Sequence, residues 1–318
     1  MRRLQIPHAD MTVSALCLGT GELGAHIRGK NATQLIAEYL ELGGNFIDTA
    51  HCYAFWLPEG AGCSERELGR VIRELGCREQ VVIATKGGHP SGGDVYPRPD
   101  RYMAPEQVAQ DLSESLERLQ MDTVDIYYLH RDDPRIPVDE IIDSLNHHIQ
   151  EGRVCALGAS NWSVERIEQA NRYASANGLQ GFVISQVQWS LATPSWQIGD
   201  DPTTRYVTEA DAEWYWQNNV PVAAYTSTAL GYFARIERGE QHFGHPLNAK
   251  RRERAEQLAR QIGCTPTQVA LAWLLHQKPT TIPIFATGRL DHLRECMAAA
   301  DIALRPKQVE WLADGQYE

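Results

Sequence analysis

The sequence predicts a closed (β/α)8 barrel, and three observations carry that prediction. Eight short apolar runs recur along the 318 residues, each followed by a stretch of helical character. The runs show little polar–apolar alternation, as parallel strands covered on both faces require. No linker or change in composition interrupts the series, so residues 1–318 read as one α/β unit.

The predicted strands are SALCLG (14–19), NFID (45–48), VVIAT (81–85), VDIYYL (124–129), CALGA (155–159), FVISQ (182–186), VPVAAY (220–225) and TIPIF (281–285). Between them, PEQVAQDLSESLERL starts on Pro105 and sets Val108, Leu112, Leu116 and Leu119 on one helical face. PVDEIIDSLNHHIQEG opens on Pro137 and stops at Gly152, the order in which those residues favour helix start and end. Ser163 is placed to cap the next helix and Gly178 to end it, while Thr265 with Gln268 forms a capping-box pattern. Ahead of the first barrel strand, RRLQIP and MTVSA flank a short HAD turn and are expected to form a hairpin closing the barrel floor. An open doubly wound sheet is the competing fold. It lacks support, because the glycines of LGTGELG do not have the helix-opening GxGxxG spacing.

A net charge of −11 without a long basic run argues against a nucleic-acid or anionic-membrane surface. The seven cysteines are scattered, without a CxxC pair, so neither a zinc ribbon nor a disulfide framework is expected. MRRLQIPHADMT has no apolar stretch behind its arginines to make a signal peptide, and no apolar run is long enough to span a bilayer. These features suggest a reduced cytoplasmic protein whose partners are small molecules.

In such a barrel the loops after the strands build the site. Asp48 ends the second predicted strand, and Lys86 and His130 directly follow the third and fourth, with Tyr53 in the loop beyond Asp48. Each alone has an ordinary explanation: a turn former, a residue returning the chain to solvent, a core histidine, a packing ring. Together, the fold directs all four into one volume. A lysine and an aspartate beside the phenol are expected to lower its pKa from about 10, making it a usable proton donor.

The stretch GGNFIDTAHCY (43–53) resembles the Gly–x4–Asp–Thr–Ala–x2–Tyr signature of the aldo-keto reductases. ATKGG and DIYYLHRDD resemble that family's next motifs, and the likeness continues through GASN, SQVQWSL and AYTSTALG. The resemblance implies a (β/α)8 barrel that uses NADP(H) or NAD(H) without metal to interconvert carbonyls and alcohols. It implies Tyr53 as general acid, Asp48 and Lys86 tuning it, and His130 orienting the substrate oxygen. It also implies that Ser160, Asn161 and Gln186 hold the nicotinamide carboxamide, that Trp189 replaces a stacking tyrosine, and that Tyr225, Ser227 and Thr287 make further cofactor contacts.

Departures from the family pattern also shape the reading. Ala54 stands where a glycine is usual, and the loop AFWLPEGAGC is long. In IPIFATGRLDHLREC the customary Gly and Asn are Ala286 and Cys296, and an early basic residue is missing. Arg289 and His292 remain to meet a 2′-phosphate, so NADPH preference is expected to be weak. Phe55, Trp56 and Trp196 are expected to form an aromatic platform for a sugar or polyol, with Asp200, Asp201 or His51 binding hydroxyls; Trp162 is expected to pack. Two other functions fit parts of the pattern. One is a non-catalytic nicotinamide-binding regulatory subunit on the same fold. The other is a metal-dependent isomerase or hydrolase using His51, His89 and His130, for which no HxH pair is present.

Overall fold

The computed structural model describes residues 1–194, 201 and 203–315. Strands β1 (Arg3–Ile6) and β2 (Met11–Ser14) pair antiparallel in register from Arg3↔Ser14 to Ile6↔Met11. Eight parallel strands then close a barrel: β3 (Cys17–Gly19), β4 (Phe46–Asp48), β5 (Val82–Gly87), β6 (Val124–Leu129), β7 (Val154–Ser160), β8 (Phe182–Gln188), β9 (Val222–Tyr225) and β10 (Thr281–Phe285), with β10 pairing β3. The predicted architecture is therefore the one observed.

The hairpin fills the floor. Ile6 and Val13 pack with Cys17, Phe46, Ile126 and Ile282, the apolar side chains that point into the barrel. The first barrel strand starts at Cys17, three residues later than the sequence predicts. Ser14 belongs to the hairpin, and its hydroxyl donates to the Leu16 carbonyl while its amide donates to Asn45, which bends the chain before β3 begins.

Around the barrel lie α1 (Lys30–Glu41), α2 (Cys63–Leu75), α3 (Pro105–Leu119), α4 (Val138–Gln150), α5 (Val164–Ala176), α6 (Glu209–Gln217), α7 (Glu237–Phe243), α8 (Pro246–Ile262), α9 (Pro266–Leu275), α10 (Leu290–Ala298) and α11 (Pro306–Asp314). The predicted signals hold at atomic detail. Val108, Leu112, Leu116 and Leu119 are all buried on α3. Ser163 accepts from the Arg166 amide at the start of α5, and Thr265 with Gln268 closes both bonds of its capping box on α9. Gly152 and Gly178 take φ of 72° and 66° just past their helices, a conformation glycine adopts without steric cost. Among the described residues, no helix is long and apolar enough to cross a membrane.

Candidate active site

Strand pleating decides which side chains reach the barrel mouth. On β4, Phe46 packs inside the barrel and Ile47 against the helix layer, so Asp48 returns to the inside. On β5, Val82 and Ala84 are inside and Ile83 outside, which carries Lys86 inward. On β6, Tyr128 is inside and Leu129 outside, so His130, one residue past the strand, is again inside. The same period brings Ser160 of β7, Gln186 and Gln188 of β8 and Tyr225 of β9 to one cavity of about 650 Å³.

At the base of that cavity Lys86 is fully buried, and its three ammonium protons are all committed. They reach Asp48 Oδ2, the Thr49 carbonyl and the Tyr53 hydroxyl, each at 2.7 Å. The Tyr53 hydroxyl donates to Asp48 Oδ2 at 3.1 Å, and Gln186 Nε2 donates to Asp48 Oδ1 at 2.8 Å. The Tyr53 and His130 rings meet edge to face with centroids 5.9 Å apart. Tyr53, Asp48 and His130 all line the cavity.

The electrostatics correct one expectation. Burial, followed by the Asp48 carboxylate, pushes the Tyr53 phenol well above its ordinary value rather than below it. The adjacent ammonium opposes that shift without overcoming it. The phenol is therefore protonated through the neutral range, with the Lys86 ammonium 2.7 Å from its oxygen. Burial also pushes His130 well below its usual range, with the Arg131 guanidinium adding to the effect, so its imidazole is neutral. Next to Tyr53, Ala54 has φ of 69°. A glycine here would be unstrained, whereas an L-residue costs about 1–2 kcal/mol.

The Aldo/keto reductase family profile matches residues 15–314. The chain belongs to the aldo/keto reductase family. It is similar to norsolorinic acid reductase A of Aspergillus parasiticus, at 27% identity over 99% of this chain and 80% of the relative. It is also similar to an NADP(+) aryl-alcohol dehydrogenase of Phanerodontia chrysosporium, at 28% identity over 97% and 84%. An uncharacterized oxidoreductase of Bacillus subtilis, YrpG, is 28% identical over 99% and 95%. In fold, the chain matches a thermostable aldo-keto reductase solved with the inhibitor epalrestat, at a TM-score of 0.73 and 24% identity over 98% and 99% of the two chains.

The aldo-keto reductase site differs in detail from the sequence expectation. Trp189 follows Gln188 by one residue, so the pleat turns it away from the cavity, and its ring meets Trp273 of α9 at 6.0 Å. The flat ring on the cavity wall is Tyr225, whose hydroxyl donates to Asn161 Oδ1 at 2.8 Å. Asn161, held at φ of 60°, also donates through Nδ2 to Ser160 Oγ and the His130 carbonyl. Ser227 is fully buried and donates to the Ile284 carbonyl, away from the cavity.

Thr287 and His292 line the far end of the cavity, but Arg289 turns out to solvent and pairs with Asp291. Two other cations line the wall: Arg131, paired with Asp201, and Arg238 of α7, which makes no ion pair among the described residues and which sequence reasoning missed. Its helix carries no sequence motif, and only the topology brings it round. Gln188 was also missed, although counting two residues on from Gln186 would have found it.

Of the proposed platform, Trp56 lines the mouth and is 54% exposed. Phe55 sits behind it, stacked on Tyr96 at 5.2 Å, and does not line the cavity. Trp196 and Asp200 lie outside the described residues. Asp201 is bound to Arg131, and buried His51 bonds Tyr96 at 2.7 Å and Glu114 at 2.9 Å, so neither is available to a substrate hydroxyl. Trp162 packs as expected, its Nε1 donating to the Arg131 carbonyl. Among the described residues, no three His, Cys, Asp or Glu side chains are grouped to hold a metal ion.

Proposed function

We propose that this aldo-keto reductase is an NAD(P)H-dependent carbonyl reductase of a reduced, cytoplasmic setting, with Tyr53 as its general acid. The observation that supports it best is the Lys86–Asp48–Tyr53 cluster at the cavity base, with neutral His130 beside it. The walls fit a dinucleotide. Ser160, Asn161 and Gln186 offer polar groups for a carboxamide, Tyr225 offers a ring face, and Gln188 Nε2 is a buried donor without a partner among the described residues. Leu230 and Gly231, in left-handed backbone conformations, line the same cavity as Arg238, a chemistry suited to phosphates.

When bound, a reduced nicotinamide supplies a hydride to the carbonyl carbon. Tyr53 and His130 orient the carbonyl oxygen. The Tyr53 O–H rotates from Asp48 toward that oxygen and gives up its proton, and Lys86 stabilises the phenolate left behind. The test is to titrate the purified protein with NADPH and NADH, then follow cofactor oxidation with a panel of aldehydes, ketones and sugars. Binding of either cofactor without turnover of any carbonyl would instead favour a nicotinamide-sensing subunit.

Cofactor discrimination is expected to be modest, because Asp291 already neutralises Arg289. Arg238→Ala should weaken both NADPH and NADH by roughly tenfold to a hundredfold, the loss of one charge-assisted contact of about 1.5–3 kcal/mol. Arg289→Ala should change either affinity by a smaller factor. Tryptophan-fluorescence titration measures all four constants, and an unchanged Kd in Arg238→Ala would remove that residue from the cofactor site.

Trp56 gives the mouth an exposed flat ring, suited to the apolar face of a sugar or to an aromatic ring such as the aryl group named for the Phanerodontia relative. Trp56→Ala should raise KM several-fold for such substrates and spare a minimal aldehyde, since the contact is shared by ground and transition states. Equal losses on large and small substrates would indicate collapse of the loop instead.

A further inference from the structure

Two neutral histidines sit side by side at the substrate end of the cavity, and their surroundings set them to opposite hydrogen-bond polarity. His130 Nδ1 lies 3.4 Å from Cys52 Sγ, and both groups are buried. Burial raises the Cys52 thiol to about 12, so sulfur keeps its hydrogen. A ring nitrogen is a better acceptor than a thiol sulfur, so S–H donates to Nδ1 and the imidazole proton resides on Nε2. His130 therefore offers a donor.

His89 is the reverse case. Its Nδ1 is 2.8 Å from the Pro90 carbonyl, which can only accept, so Nδ1 carries the proton and Nε2 is a bare lone pair. Burial depresses its pKa to about 4, which keeps it an acceptor through the neutral range. Nε2 has no partner among the described residues, and His89 lines the cavity with its ring 4.9 Å from that of His130.

We propose that His130 and His89 form a fixed donor–acceptor couple that selects carbonyl substrates bearing a hydroxyl on the adjacent carbon. The carbonyl oxygen takes the His130 and Tyr53 donors while the neighbouring hydroxyl donates to His89 Nε2. This rests on the reductase reading above and adds a substrate class to it. A simple ketone leaves the His89 lone pair unsatisfied, and the carboxylate of a 2-oxo acid sets negative charge against that lone pair. In this arrangement Cys52 is a positioning residue acting through the His130 tautomer.

The experiment compares kcat/KM for 3-hydroxybutan-2-one and butan-2-one, which share a skeleton and differ by the hydroxyl, with pyruvate as the anionic control. The wild-type enzyme should favour the hydroxy ketone by roughly tenfold, the scale of one neutral hydrogen bond, and disfavour pyruvate. That ratio should stay flat with pH across the neutral range. It should collapse in His89→Phe, which keeps a ring but no acceptor, and partly return in His89→Gln, which restores an oxygen acceptor. Cys52→Ala should lower kcat for both ketones and Cys52→Ser should restore it, since a hydroxyl can donate to Nδ1. Reduction of both ketones without preference, or a preference that survives in His89→Phe, overturns the couple and leaves the reductase reading standing. Failure to reduce any carbonyl overturns both.

Discussion

Replacing Tyr53 by phenylalanine should lower kcat by roughly 10²-fold or more while leaving cofactor affinity nearly unchanged. In the proposed reaction the Tyr53 hydroxyl is the group at the cavity base that gives its proton to the substrate. Lys86 cannot substitute for it, because its protons already go to Asp48, Thr49 and Tyr53. Asp48 accepts from Lys86, Tyr53 and Gln186 and so serves as an anchor. His130 is neutral and a much weaker acid than its cation would be. Phenylalanine preserves the ring beside His130 and removes only the hydroxyl, so the loss should appear in the chemical step. A pre-steady-state measurement of cofactor oxidation isolates that step. Near-normal turnover of any good carbonyl substrate by the variant would end the assignment of Tyr53 as acid. The upward shift of the phenol also fixes the pH behaviour. Because Tyr53 stays protonated through the neutral range, reduction should not lose its acid as pH rises toward the ordinary tyrosine value.

The sequence was informative where chemistry follows strand parity and silent where it depends on tertiary paths. Asp48, Lys86 and His130 were legible because each falls at the end of an apolar run, on the inward phase of the pleat. The same rule, applied one residue further, would have turned Trp189 outward and selected Gln188. Phe55 and Trp56 could not be separated by sequence, since which of two adjacent rings faces the mouth depends on the fold of the loop. Here Phe55 is held by Tyr96, supplied from a distant segment. His51 looked like a mouth residue because its partner, Glu114, lies 63 positions away on α3. Arg238 needed the full barrel path to be seen at all. The Tyr53 shift runs opposite to the sequence expectation for a related reason. Nearby charges can be read from motif spacing, but burial, the larger influence, becomes visible only when the barrel closes around the phenol.

Burial also governs the second large effect, which concerns stability. Lys86→Met should destabilise the fold by about 3–5 kcal/mol, the scale for stranding a buried charge by removing its partner. In the native protein the Lys86 and Asp48 side chains are at most 2% exposed and 2.7 Å apart, with water excluded from both. Without the ammonium, Asp48 Oδ2 retains among the described residues only the Tyr53 hydroxyl as donor, and Oδ1 only Gln186. Those neutral donors do not balance a carboxylate in a site of low polarity. The double variant Lys86→Met/Asp48→Asn removes both charges and should recover much of the lost stability, though not the activity, because nothing then stabilises a Tyr53 phenolate. Denaturant midpoints for wild type, both single variants and the double variant give the coupling between the two positions directly. A coupling near zero would mean that the pair contributes as two independent residues. A large coupling, with both single variants inactive, would show that the charge pair supporting the fold at this point is also the one supporting the reaction.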